Sequence, residues 1–398
     1  MKYFIFALLI LFLPSQLGYH FWPEWSLVQG TRVDYLSPTI YFTDILAITL
    51  IVLEIKSLQI NRKLTLFLVL GMFLNVSLST HPVISLYSWL KVIEFILVGL
   101  VVYKNKHAFG RLTTQIAPAV LIWTSVLAVL QWLNRGSLNG IFYLLGERTF
   151  TTQTPGIALS KIMNTVSLRP YATLPHPNVL AGVIAVLWLY ILKTHQKNIL
   201  FYVVSGLSFV TLILTESYSA WIALIVSIGF IFLEKLITLR IQLTWKLFIV
   251  SIFTLSLTTL FFVKTPPLEI AQSNNSRERL ELLYLSGISL TQNPVTGTGL
   301  GTFITQIPQN AQLLPAVYRT RSTSWLQPVH NIPVLLFSET GIVGIVIACM
   351  LLTYIPMSAP FVFILETSLF DHYWITLQAP ALLLAILVAL AYNTKKSR

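Results

Sequence analysis

The sequence has a single cysteine, few charged residues, fewer acids than bases, no internal repeat and no Pro/Ser-rich linker. One cysteine, Cys349, excludes an intrachain disulfide, and its place within an apolar run leaves the redox compartment unread. Charged residues are 10% of the chain, against roughly a quarter in soluble domains. Hydrophobic residues are 55% and mean hydropathy is +0.76. An ordinary soluble protein is excluded. Without a linker or repeat, residues 1–398 read as one polytopic membrane domain.

The basic excess, 26 Lys and Arg against 14 Asp and Glu, gives a formal charge of +12. These bases sit mostly in short loops between apolar runs, so topology rather than nucleic acid accounts for them. Aromatic residues at 13%, with 10 Trp, suit interfacial belts. Runs of spanning length, roughly 17–25 residues, fall near 3–18, 38–55, 64–80, 83–103, 112–133, 177–193, 198–215, 218–234, 246–263, 332–352 and 374–392. A shorter run, 356–369, is ambiguous by length alone.

Residues 1–17 resemble a signal peptide but lack a small-x-small cleavage site, which predicts an uncleaved first helix. With a cytoplasmic N-terminus, one set of loops collects Lys2, Lys56, Arg62, Lys63, Lys104, Lys106, Arg111, Lys193, Lys197, Lys235, Arg240 and Lys246. Counting 356–369 as a helix adds Lys395, Lys396 and Arg398 to that side. The expected fold class is therefore an all-α integral membrane protein of about 12 transmembrane helices, both termini cytoplasmic; 11 helices is the alternative. The opposite side receives two long loops, 134–176 and 264–331. The second is too polar and glycine-rich to lie in lipid, where each unpaired backbone group costs several kcal/mol. It must cap the membrane or line a cavity.

The outer loops also hold Arg32, Arg135, Arg148, Lys161, Arg169, Lys264, Arg277, Arg279, Arg319 and Arg321. Loop solvation explains any one of them. As a group they suggest an anionic ligand, because arginine offers phosphate a planar bidentate fork. Around 277–283 the pattern is helical, with Asn275 and Glu278 in capping-box spacing. Arg277 and Arg279, two apart, then point to different faces, and at most one meets a shared ligand.

His330 is the sharpest candidate. Pro328 before it and Asn331-Ile332-Pro333 after it place it at the outer mouth of a helix, where the dipole disfavours imidazolium. Two readings stay open: a neutral imidazole that takes a proton from a hydroxyl, or an interfacial histidine bonded to a backbone carbonyl. Glu339, two turns into that helix, is a buried acid or part of a cavity wall. Gly297, Gly299 and Gly301 fit neither a dinucleotide fingerprint nor a P-loop, and predict a tight turn whose backbone approaches a neighbour closely. Lys91 and Glu94 share a face inside a helix and are expected to pair, since a lone ion there costs about 2.5–3.5 kcal/mol. His176, after Arg169-Pro170 and before Pro177-Asn178, and Asp371-His372-Tyr373 add polar groups at the same face.

Taken in order, several motifs resemble the O-antigen ligase and polysaccharide polymerase superfamily of bacterial inner-membrane glycosyltransferases. They are Thr173-Leu174-Pro175-His176-Pro177-Asn178, Glu278-Arg279-Leu280-Glu281-Leu282, Asn293-Pro294 through Gly301-Thr302-Phe303, Pro328-Val329-His330-Asn331 with Glu339-Thr340-Gly341, and Phe370-Asp371-His372-Tyr373. The resemblance implies transfer or polymerisation of a glycan from an undecaprenyl-pyrophosphate carrier to an acceptor hydroxyl at the periplasmic face. The acceptor is a lipid, glycan or protein; no metal and no cofactor are implied. It implies His330 and Arg279 as catalytic residues. Arg169, His176, Arg277, Arg319, Arg321, Tyr218, Asp371 and His372 are then expected to bind substrate. Tyr218 is a departure: in Thr215-Glu216-Ser217-Tyr218 the family usually carries arginine at that position. The alternatives are a lipid-linked-glycan flippase or a non-catalytic partner in polysaccharide assembly. A flippase would place its polar groups near the midplane between repeats.

Overall fold

The computed structural model describes residues 1–58, 62–162, 165–236, 274–314, 326–355 and 357–391. The expected span at 246–263, Lys264, Arg319, Arg321 and the basic tail with Lys395, Lys396 and Arg398 lie outside the described residues.

The described chain is dominated by helices. Four are long and apolar enough to cross a membrane: α4 (Pro82–Lys104), α5 (Lys106–Asn134), α7 (Pro177–Thr194) and α12 (Ile332–Tyr354, apolar as far as Leu352). Six more apolar helices are shorter than the sequence suggests. They are α1 (Lys2–Leu11), α2 (Phe42–Glu54), α3 (Arg62–Ser77), α8 (Ile199–Thr215), α13 (Ala359–Ser368) and α15 (Gln378–Ala391). The reason is visible at their ends. The apolar run at 38–55 begins as strand β4 (Thr39–Tyr41), paired antiparallel with β1 (Gly18–His20), before α2 starts. The helix α9 (Tyr218–Leu236) packs on α13, and α13 also packs on α7, which buries most of its 10 residues. The main core gathers around α7, with Leu180, Val183, Ile184 and Leu187 fully enclosed beside Val101, Leu121 and Leu383.

Loop 134–176 carries the short helix α6 (Ile141–Leu144) and a hairpin of β5 (Leu159–Ile162) and β6 (Thr165–Leu168). Buried Gln131 holds it at both ends: its amide donates to Glu147 Oε1 (2.7 Å) and the Ala172 carbonyl (2.8 Å). Loop 264–331 contains α10 (Asn274–Gln292) and α11 (Phe303–Ala311).

Between these last two, residues 293–301 insert into α12. The helix is broken at Gly341 (φ 63°, ψ −165°), a conformation open essentially to glycine alone. In an unbroken helix Ile342 N–H would donate to Ser338 and Val343 N–H to Glu339. Here Ile342 donates to the Pro294 carbonyl (3.0 Å) and Val343 to Val295 (3.3 Å). The released Ser338 and Glu339 carbonyls accept instead from Thr298 N–H (3.0 Å) and Gly299 N–H (2.9 Å). All four groups stay paired, as apolar surroundings require. Asn75 of α3 clamps the junction, donating to the Thr296 and Glu339 carbonyls (both 3.0 Å) and accepting from Leu300 N–H (3.0 Å). Glu339 is both things expected of it. It is a buried acid accepting from Phe303 N–H (3.2 Å), and it lines a cavity of about 620 Å³ between α3, α4 and α12.

Lys91 pairs with Glu94 (3.4 Å), as its spacing predicts, but its nearer partner is Asp44 of α2 (2.6 Å). At one end of the molecule Glu54 gathers Lys2 (3.0 Å), Lys104 (3.4 Å) and Asn105 (3.2 Å).

A test follows from the inserted loop. A Cβ on Gly297 would collide with the Glu339 carbonyl carbon, at a residue whose φ is +69°, while one on Gly229 of α9 meets nothing within 4 Å. Gly297→Ala should therefore destabilise the protein by on the order of 2–3 kcal/mol, and Gly229→Ala should be neutral or better. Melting in detergent decides it; equal melting temperatures for the two variants would refute the insertion.

Candidate active site

Two helix starts build the site. His176 caps α7 with its ring, Nδ1 accepting from Asn178 N–H (3.1 Å), while Pro177 supplies the first helical residue. Asn331 caps α12 by accepting from Val334 N–H (3.0 Å), and donates to the Leu369 carbonyl (3.1 Å). That second bond ties the His330 turn to the end of α13, from which Asp371 and His372 project.

Asn178 then links the two halves. Its Oδ1 accepts from Arg169 Nη2 (2.9 Å) and its Nδ2 donates to Asp371 Oδ2 (3.2 Å). Arg169 Nε donates to the carbonyl of Thr215, the last residue of α8 (2.7 Å). Asp371 Oδ1 accepts from His372 N–H (2.9 Å) and faces His330 Nδ1 at 3.4 Å. That last contact is too poorly aligned for a regular hydrogen bond, and His330 Nδ1 is buried with no other partner. Among the described residues no carbonyl bonds His330, the other reading that sequence left open; a carboxylate faces its Nδ1. The His372 ring lies 5.1 Å from that of His330 and 5.4 Å, edge to face, from Tyr35. Arg169, Asn178, Asp371 and His330 thus form one polar chain.

Arg279 stands close enough that its charge is felt at His176, His372 and Arg169. Among the described residues no hydrogen bond or ion pair engages its guanidinium. Arg277 turns the other way, its Nε 3.6 Å from Glu281 Oε1 one helical turn on. Glu278 accepts from Gln327 (2.8 Å) and lies within reach of the His330 charge. Tyr218, at the start of α9, is 70% exposed and packs edge-on to Trp221.

The environment separates the ionisable groups. Burial, aided by the neighbouring positive charges, pushes His372 down to about 3 and His176 down to about 4, over the opposing pull of Asp371. Burial alone would raise the Asp371 carboxyl; the contact with His330 and the facing imidazoles outweigh it and hold it well below the usual carboxylate range. The site therefore presents one anionic carboxylate, two imidazoles kept neutral, and arginines at its rim.

Residues 203–349 match the family model described as O-antigen ligase. No curated protein matches the chain. The matched stretch is similar to an O-antigen ligase domain, in a chain whose long apolar helices fit a membrane protein. The match covers 147 of the 398 residues and supports a likeness to the O-antigen ligase and polymerase superfamily, whose function lies in polysaccharide assembly. The match spans Tyr218, Arg277, Arg279 and His330; Arg169, His176, Asp371 and His372 lie outside it and join the site through the fold.

Sequence reasoning passed over Asn178, Tyr35 and Thr376. Asn178 had one legible signal, its place directly after a capping histidine and a proline; Tyr35 and Thr376 had none.

The imidazole shifts predict how stability depends on pH. Unfolded imidazole titrates near about 6.5, and His176 and His372 do so near about 4 and about 3 when folded. The unfolded chain thus binds more protons between these values, so stability is full above about 6.5 and declines as pH falls toward them. Melting temperatures in detergent between pH 7 and pH 4 should show this slope, and His372→Gln should flatten it. An unchanged slope in His372→Gln would mean that His372 is not held neutral.

Proposed function

We propose that the chain is a metal-independent membrane glycosyltransferase. It transfers or polymerises a glycan from an undecaprenyl-pyrophosphate carrier onto an acceptor hydroxyl at the extracytoplasmic face of the inner membrane. The observation that carries this reading is the chain from Arg169 through Asn178 and Asp371 to His330, with Arg279 beside it. In this reading His330 turns Nδ1–H toward Asp371 and leaves its Nε2 lone pair for the acceptor hydroxyl, the orienting logic of a base–carboxylate pair. The long Nδ1 contact would tighten when substrate binds. Attack at the anomeric carbon forms the new glycosidic bond as the carbon–oxygen bond to pyrophosphate breaks. The hydroxyl proton passes to His330 and the lipid pyrophosphate leaves as an anion.

A pyrophosphate needs little acid assistance, so fixed positive charge and orientation are the main requirements. Arg279 is assigned to that charge. Arg169 spends Nε and Nη2 on the scaffold, so it both positions the polar chain and faces the donor with the rest of its fork. His176 and His372 are neutral walls of the donor site, Asp371 orients the base, and exposed Tyr218 contacts the donor near Arg169. Arg319, Arg321 and Arg277 are assigned to outer anion contacts from the sequence alone.

Transport is the weaker reading, because the polar chain gathers where α7 and α12 begin rather than between repeats. The proposed topology has 12 helices, both termini cytoplasmic and loops 134–176 and 264–331 outside. The joining of Lys2, Glu54, Lys104 and Asn105 at the end of the molecule away from His330 supports it.

His330→Ala should lower transfer by about 10²–10⁴-fold with donor binding nearly intact. Arg279→Ala should weaken donor binding by roughly 10- to 100-fold, the loss of a charge-assisted bond, and Arg277→Ala should do much less. Purified variants incubated with a labelled lipid-pyrophosphate glycan, scored for bound donor and for released lipid pyrophosphate, separate these. Near-native transfer in His330→Ala, or equal losses at 277 and 279, would overturn the assignments.

The topology is checked in a Cys349→Ala background. Leu313→Cys, at a site 61% exposed, should react with an impermeant thiol reagent from outside intact cells, and Lys56→Cys only after lysis. The reverse pattern would sink the topology.

A further inference from the structure

Three side chains at the centre of this site show an arrangement that a proton-transfer base does not need. Thr376 Oγ1 lies 3.1 Å from the His372 carbonyl and 2.7 Å from His372 Nδ1; with its one proton donated to the carbonyl, it accepts from Nδ1–H. In that arrangement His372 carries its proton on Nδ1 and leaves Nε2 with a bare lone pair. That lone pair faces Asp371 Oδ1 at 3.9 Å, electron pair against carboxylate, with no hydrogen between them. On the other side of the same oxygen stands His330 Nδ1 at 3.4 Å, buried and without a hydrogen-bond partner. Three donor atoms, one from each of His330, Asp371 and His372, lie within 4.8 Å of one another.

We propose that His330 Nδ1, an Asp371 carboxylate oxygen and His372 Nε2 form a binding site for a divalent transition cation of the zinc type, and that the ion inhibits transfer. Two imidazoles and one carboxylate are a ligand set that zinc accepts, with its fourth position open to water or to a phosphate oxygen. The surroundings are those of a supported metal site. His372 is oriented through its other nitrogen by Thr376, and Asp371 through Asn178 Nδ2 (3.2 Å) and the His372 N–H (2.9 Å). Arg279 works against the cation, and with three protein ligands the affinity is expected in the micromolar rather than the nanomolar range.

The inhibitory half rests on the reading of His330 as base. Coordination takes the Nδ1 lone pair, so the single proton of the neutral ring moves to Nε2. A base whose Nε2 bears hydrogen cannot accept the hydroxyl proton. The tautomer changes, no net proton leaves either imidazole, and the acceptor stays unactivated.

The test uses the purified full-length protein in detergent or nanodiscs, first stripped with chelator. Equilibrium dialysis against Zn²⁺ should give saturable binding of one ion per chain, and Co²⁺ should develop the visible bands of a four- or five-coordinate nitrogen–oxygen site. His372→Ala and Asp371→Asn should each weaken binding by at least about tenfold, with gel-filtration profile and melting curve reporting that they fold. Wild-type protein without saturable Zn²⁺ binding or Co²⁺ bands overturns the site whatever the variants do, as does wild-type affinity in both. This arm is independent of transfer, so it stands or falls apart from the glycosyltransferase reading. In the transfer assay, saturating Zn²⁺ should slow release of lipid pyrophosphate by about 10²-fold, reversed by chelator. Stoichiometric binding with undiminished transfer would overturn the inhibitory role and leave the ion a bystander.

Discussion

The placement of the candidate site depends on an exchange of backbone hydrogen bonds. A helix broken within an apolar run exposes carbonyls and amides that water cannot reach. In α12 the break at Gly341 is tolerated because residues 294–299 take over each pairing that the missing turn would have made. The same residues connect α10, which carries Arg279, to α11, whose first amide is held by Glu339. The segment that carries Arg279 is thereby keyed into the helix whose first turn follows His330. Loosening that junction would move the arginine and the imidazole relative to each other.

The second constraint is the cost of charge. With few charged residues in the chain, two groups of described ones are drawn together: Glu54 with Lys2 and Lys104, and Asp44 and Glu94 with Lys91. Each group joins helices distant in sequence, so the ion pairs fix which helices neighbour which. Arg169 is bonded by neutral partners, a carbonyl and an amide oxygen, with the Glu216 carboxylate near enough to act on its charge. Arg277 has an acid one turn away, and Arg279 no such acid among the described residues. For an anionic substrate that contrast decides which of the pair has charge to offer.

Several of these features were legible in the sequence for physical reasons. Proline after His176 and after Asn331 announced two helix starts, and spacing alone turned Arg277 away from Arg279. Gly297, Gly299 and Gly301 announced a close backbone approach. The partner of that approach was hidden, because nothing local says that Gly341 breaks its helix. Helix lengths were overestimated because apolar runs continue into strands, as at Thr39–Tyr41. Contacts between distant positions were beyond reach: Asn178 meets Asp371 across 193 positions, and Asp44 meets Lys91 across 47. Arg319 and Arg321 fall outside the described residues, so their expectation rests where the sequence put it.

In the proposed mechanism the polar chain also explains how a carboxylate can sit beside a site assigned to an anion. A bare Asp371 would repel pyrophosphate, yet its Oδ2 is occupied by Asn178 and its Oδ1 by the His372 amide and the facing His330 ring. Its negative charge is thus directed inward, toward the imidazole that must bear a positive charge once it has taken a proton. Arg169 stands at the far end of the chain, beyond the neutral amide of Asn178, so the guanidinium is linked to the carboxylate without an ion pair that would cancel it. The amide keeps cation and anion apart while fixing their geometry. An aspartate at position 178 would accept from Arg169 equally well but could not donate to Asp371, and two carboxylates would then share one buried site. Asparagine, donor on one side and acceptor on the other, is what lets the proposed base and the proposed anion-binding arginine share a single rigid scaffold.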